Sequence, residues 1–170
     1  MQDEPVLGSE FDTLLAQESS DRTVAERIRA LVAEEPFAVL CTQGEGQPYG
    51  SVVAFAFDHD LKSFVFSTPR ATRKFRLLCQ CDRVALVVDN RAKYPTDLMK
   101  VGAVTITGKA QQLEAGSEFD ELARLLMARH PYLKSFVESP STALFRVDAV
   151  RFLHVTRFQE VRQWIPASDG

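Results

Sequence analysis

The chain has 170 residues, 45% hydrophobic and 25% charged, with a net charge of −3 and a pI near 5.6. Those totals describe one globular domain long enough to bury a core, and they exclude a generally basic nucleic-acid binder. The sequence contains no apolar run of membrane-spanning length, and its acidic start, MQDEPVLGSE, has no charged-then-apolar leader pattern, so the expectation is a cytoplasmic protein.

Residues 1–19 are polar and aperiodic and read as a loose N-terminal arm, leaving residues 20–170 as a single domain. Thr23-x-x-Glu26 has the form of a capping box, with Ser20 or Asp21 as alternative caps, and Val24, Ile28, Leu31 and Val32 follow at helical spacing. Pro36 ends that helix near Glu35. From Phe37 the period changes to that of strands. Residues 37–42 and 48–57 form a hairpin around the turn QGEGQ, and a third strand covers 64–68 after the turn Asp58-His59-Asp60. Residues 83–89 are nearly continuous in apolar side chains, which predicts a strand buried on both faces. A loop over 90–100 contains Pro95, with one helical turn starting at Thr96 or Asp97.

A long strand spans 101–113, where Gly108 marks a bulge or a close backbone approach. Ser117 is expected to cap a helix with Phe119, Leu122 and Leu126 on its buried stripe, and a shorter helical piece covers 132–138. Two last strands, 142–147 and 150–158, are joined by a tight connection at Asp148-Ala149. The order of elements points to a mainly β fold: a closed or nearly closed antiparallel barrel with helices at its ends.

The chemistry concentrates in residues 64–78, FVFSTPRATRKFRLL. A strand ending in Ser67-Thr68 runs through Pro69 into a helix whose start carries Arg70, Arg73, Lys74 and Arg76. Cations there oppose the positive end of the helix dipole, and an anion would relieve both. Backbone N–H groups with Arg and Lys are what a phosphate needs; the competing reading is a solvated basic face. The three cysteines, Cys41, Cys79 and Cys81, contain no CxxC pair, and His59, His130 and His154 show no metal-ligand spacing to them. There is no GxSxG, paired-carboxylate pattern or P-loop.

Over about residues 37–158 the chain resembles the pyridoxamine 5'-phosphate oxidase-like, FMN-binding split-barrel family. The resemblance lies in GQPYGSVV at 46–53, in Phe66-Ser67-Thr68 followed by Thr72-Arg73-Lys74, and in RVALVV at 83–88. It implies a split antiparallel barrel, a homodimer with one flavin mononucleotide at each end of the interface, and a small-molecule substrate. It implies that Ser67 and Thr68 lie beside the flavin, and that Arg73, Lys74 and the Thr72 hydroxyl hold the phosphate. Ser51, Val52, Val53 and Ala54 would run along the ring edge. Gln159 and Trp164 would reach a flavin from the partner subunit, although a lone Trp in a tail also serves as an anchor.

The chain departs from the oxidase where that enzyme carries a lysine (here Ala56), a glutamine (here Ala103) and a tail arginine and histidine (here RFQEVRQWIP). The expected function is therefore an FMN-dependent oxidoreductase that is not a true pyridoxamine 5'-phosphate oxidase. The alternatives are a deazaflavin-dependent reductase, a heme-utilisation relative with His154 as ligand, and a flavin-binding module without turnover.

Overall fold

The computed structural model describes residues 21–157 and 160–167; the arm expected over 1–19 and the predicted Gln159 lie outside them. Helix α1, Asp21–Glu34, buries Val24, Ile28, Leu31 and Val32 as the periodicity requires, and it begins ahead of the expected Thr23-x-x-Glu26 box. Its C-terminal carbonyls are covered from across the chain. Arg129 Nη2 donates to the carbonyl oxygens of Val32 at 2.6 Å and Glu35 at 2.8 Å. The same guanidinium lies over the rings of Phe55 at 4.8 Å and Phe57 at 4.9 Å. One residue thus satisfies a helix end and fixes it to the barrel.

Strands β1 (Phe37–Gly44) and β2 (Gln47–Phe57) form a hairpin in register from Phe37↔Ala54 to Gly44↔Gln47. Glu45 and Gly46 both have positive φ, 54° and 78°, which gives the two-residue turn the twist a hairpin favours. The next turn is held by the Asp58 carboxylate, which accepts from Lys62 N at 2.8 Å and Ser63 N at 3.0 Å. Strand β3 (Ser63–Pro69), helix α2 (Arg73–Gln80) and strand β4 (Arg83–Asp89) follow. In β4 burial alternates: Val84, Leu86 and Val88 enter the core, while Ala85 and Val87 are half-buried. The expectation of burial on both faces is thus corrected for the single chain, because the second face lies on the barrel's outside. Asp97 caps a short 3-10 turn, Leu98–Lys100, by accepting from Met99 N at 3.1 Å.

Strand β5 is Ala103–Gln112, and helix α3 is Ser117–Arg129. Ser117 is the first helical residue and not the cap; Gly116 occupies that position without a side-chain bond, and Glu118 and Asp120 meet the dipole in the first turn. A 3-10 turn, Pro131–Leu133, leads into the short helix α4, Lys134–Val137. The two expected final strands are one, β6, Thr142–Thr156, followed by β7, Glu160–Trp164. Asp148-Ala149 is a bulge and not a turn. Gly108 pairs with Ala149 and Thr107 with Arg151, which leaves Val150 unmatched. A Cβ on Gly108 would lie 2.4 Å from the Asp148 carbonyl oxygen, so only glycine lets β6 bend there.

The bend lets one strand serve two partners on one edge. Residues 142–148 of β6 pair with β3, while 152–156 pair with β7. The strand order β3-β2-β1-β4-β5-β6, closed by β3 on β6, is a six-stranded antiparallel barrel, with β7 as an extension. Its interior holds Leu40, Phe55, Phe64, Phe66, Ile106 and Phe145. A second cluster, including Ala56, Val65, Leu126 and Leu144, seals the outside of the barrel against α3 and α4. The fold class is the split barrel with peripheral helices that the sequence implies.

Candidate functional site

The start of α2 is built by Thr72. Its side-chain oxygen caps the helix by accepting from Phe75 N at 3.2 Å, and its hydroxyl donates to Pro69 O at 2.9 Å. The second lone pair receives the hydroxyl of Thr68, 3.1 Å away and fully buried. All three hydrogen-bonding positions of the Thr72 oxygen are therefore engaged within the protein. This hydroxyl fixes the loop's shape, which leaves the backbone N–H groups and the cations to face an anion.

Four cations surround that start. The Arg73 guanidinium lies 5.2 Å from the centre of the Tyr49 ring, and that of Arg70 lies 5.8 Å from Phe75. Lys74 is half-buried, and burial pushes its ammonium below the ordinary lysine value. The first turn of α2 holds no acidic residue, and Arg70, Arg73, Lys74 and Arg76 have no ion-pair partner among the described residues. Uncompensated positive charge at the positive end of a helix dipole is an arrangement suited to a dianion.

Beside this loop the sheet splits. β2 and β3 pair only from Phe55↔Phe66 to Phe57↔Phe64. Beyond that point β3, which pairs with β6 along its whole length, keeps β6 alone, with Ser67 and Thr68 opposite Leu144 and Ala143. Ser51, Val52, Val53 and Ala54 stay on β1, opposite Leu40, Val39, Ala38 and Phe37. The two predicted segments therefore border the gap. Ser51 Oγ is buried there without a hydrogen-bond partner, whereas Val52 is 69% exposed. Val53 is committed to the core, so only its backbone faces the split.

Tyr49, which the sequence did not single out, joins β2 to α2 through its contact with Arg73. Trp164 sits on β7 opposite Phe152, ring centres 4.9 Å apart, and packs on the barrel core. Within one chain this anchors the tail; the expected reach to a flavin is toward the partner subunit. Ala56, 1% exposed, is packed beneath α3. The other sequence candidate, His154, is 4% exposed, and its Nδ1 has no partner. It lines a separate cleft of about 740 Å³ between α1, the loop before β5 and the β6–β7 hairpin.

Comparison with solved structures identifies the architecture. A heme-binding protein from Mycobacterium smegmatis superposes with a TM-score of 0.75 at 19% identity, over 87% of this chain and 59% of its own. The chain therefore spans little more than half of that protein. HutZ, the heme storage protein from Vibrio cholerae, gives 0.64 at 17% identity, over 73% of this chain and 88% of its own. A Clostridium acetobutylicum protein related to general stress protein 26, of the pyridoxinephosphate oxidase family, gives 0.65 at 17% identity, over 86% and 96%. At such identities the likeness establishes the fold and not the activity. No curated protein matches the sequence. The family profile described as Pyridoxamine 5'-phosphate oxidase, however, matches residues 24–156, from the first buried residue of α1 to the end of β6. By that match the chain belongs to the pyridoxamine 5'-phosphate oxidase family.

Proposed function

We propose that the chain binds flavin mononucleotide at the split between β2 and β3 and works as an FMN-dependent oxidoreductase. It would pass electrons from a reduced nicotinamide or similar donor to a small acceptor. The observation that carries this reading is the start of α2, where four cations beside a fixed Thr68–Thr72 loop have no carboxylate partner among the described residues. Arg73 and Lys74 would take the phosphate with the backbone N–H groups of the first turn. Ser67 and the edge of Ser51, Val52, Val53 and Ala54 would border the ring.

When bound, the flavin supplies the redox chemistry, while the protein supplies position and exclusion of water. Ala56, closed over by α3, speaks against the oxidase's own substrate, since the lysine of that enzyme has no counterpart. A homodimer belongs to the same reading: the outer face of β1, β4 and β5 presents half-buried Val39, Val87 and Thr105.

A heme-binding reading draws on two structural neighbours, a heme-binding protein and a heme storage protein, and on His154. It is the second reading here, because His154 is 4% exposed and lines a cleft that shares no residue with the start of α2. The absorbance spectrum of freshly purified protein, with identification of the released cofactor, separates the readings. A yellow protein releasing FMN is expected. A colourless protein that also fails to bind added FMN in a fluorescence titration would sink the flavin reading.

A further inference from the structure

Tyr49 lies in the GQPYGSVV stretch of β2, and the flavin assignment leaves it without a role. Its place is fixed from two sides. In the first hairpin it sits opposite Thr42, which is 3% exposed and donates its Oγ1 hydroxyl to the Tyr49 carbonyl oxygen at 3.2 Å. Helix α2 comes down on the same hairpin at Gly44, nearer the turn. A Cβ there would lie 2.5 Å from Leu77 Cδ2 and 2.8 Å from Gln80 Oε1, so the helix rests where β1 carries no side chain. Strand and helix are thus held together by contacts that do not involve Tyr49. Its half-buried ring then meets the first residue of α2, with the Arg73 guanidinium over it at 5.2 Å.

That contact differs from those of other arginines in the fold. Arg129 spends its N–H groups on the carbonyl oxygens of Val32 and Glu35, and Arg146 spends them on Glu118, Gln111 and Asp148. The Arg73 guanidinium makes no hydrogen bond or ion pair among the described residues. A ring restrains a guanidinium through its π system and leaves the N–H donors unspent, whereas a carboxylate would occupy them. An exposed arginine without such a restraint samples many rotamers, and ordering it on binding weakens affinity about 2- to 10-fold.

We propose that Tyr49 is a positioning residue for the phosphate of the flavin. Its ring holds the Arg73 guanidinium at the start of α2, with the N–H fork free, before the ligand arrives. The inference rests on the flavin reading above and adds to it a residue that acts through Arg73 and not on the ligand.

The experiment is a fluorescence titration of the full chain with FMN and with riboflavin. The readout is the ratio of the two dissociation constants, which isolates the phosphate. Tyr49→Leu is expected to lower the preference for FMN about 2- to 10-fold, with riboflavin affinity unchanged. Tyr49→Phe keeps a ring beneath Arg73 and should hold the wild-type ratio within about twofold. In an Arg73→Ala background Tyr49→Leu should lower the ratio no further, because the ring then has no guanidinium to hold. Circular dichroism confirms that each variant is folded, and Tyr49→Thr, a strand-forming side chain, takes the place of a Leu variant that does not fold. An unchanged ratio in Tyr49→Leu, where Arg73→Ala lowers it, would overturn the proposal and leave the flavin reading standing. A raised ratio would overturn it too, by showing that Arg73 must leave the ring to reach the phosphate. So would a loss in Tyr49→Phe as large as in Tyr49→Leu, which would assign the effect to the hydroxyl, or an equal loss of riboflavin affinity, which would make Tyr49 a packing residue. No preference for FMN in the wild type would overturn the flavin reading and this inference with it.

Discussion

Replacing Arg73 or Lys74 by alanine tests the phosphate assignment, because the structure predicts opposite consequences for the empty and the loaded protein. Arg73 is exposed, with its guanidinium 5.2 Å from the centre of the Tyr49 ring. An exposed cation–π pair is worth about 0.5–1 kcal/mol, so the apoprotein loses no more than that. Lys74 loses nothing on truncation in the apoprotein. Its folded pKa lies below the ordinary 10.5 through burial, so the folded state disfavours its charge. For such a group the stabilising contribution is complete only above the unfolded value and is lost as the pH falls through the folded one. At neutral pH the charged ammonium therefore works against folding, and Lys74→Ala should hold or raise the apoprotein's Tm.

Flavin mononucleotide reverses both signs. On the proposed assignment each residue would give the phosphate a charge-assisted bond of about 1.5–3 kcal/mol, so each substitution should weaken FMN about 10- to 100-fold. At a ligand concentration 100 times the wild-type Kd, FMN stabilises the wild type by about 2.7 kcal/mol, and the shift should shrink to roughly 0.4–1.4 kcal/mol in the variants. Arg73→Lys should recover only part of the loss, since an ammonium cannot bind two phosphate oxygens as a guanidinium fork does. The assay is flavin fluorescence quenching beside thermal unfolding, with riboflavin as the phosphate-free control. Wild-type FMN affinity in both variants would refute the assignment. An equal loss of riboflavin affinity would show that the residues act through the ring or the fold.

Gly108→Ala puts a Cβ against the Asp148 carbonyl oxygen, which is backbone and cannot swing away; it should destabilise the fold by roughly 1–3 kcal/mol, read as a Tm drop of about 2–12 °C. His154 is held below 6.5, so the stability it confers is complete above pH 6.5 and lost as the pH falls through the lower folded value; urea unfolding of His154→Gln should lack that acid limb. Light scattering at micromolar concentration with FMN present should give the mass of a dimer, and a monomer mass would contradict the interface assigned to the outer face of β1, β4 and β5. Pyridoxamine 5'-phosphate should not be oxidised at a rate typical of enzymes, about 1 per second or faster, by the FMN-loaded protein.

The parts of the fold legible in the sequence are those whose causes are local. Pro36 ends α1, Glu45-Gly46 turns the first hairpin, and Asp97 starts its 3-10 turn, each through chemistry within a few residues. The continuity of β6 was not legible, because the break suggested by Asp148-Ala149 is answered by Gly108, some 40 residues earlier, which admits the bulge. β7 reads as a polar tail, EVRQW, because its pairing comes wholly from the edge of β6 that the bend sets free. Tyr49 beneath Arg73 and the His154 cleft were not legible either, since their members come from separated elements.

The charges at α2 differ from the break in β6 in one physical respect. Both violate a local rule, but within the described residues the chain supplies the compensation for β6 and supplies none for Arg70, Arg73, Lys74 and Arg76. A violation that the fold itself resolves belongs to the architecture. One that the described residues leave open, at a helix start bearing four cations, is what the proposed anion site answers.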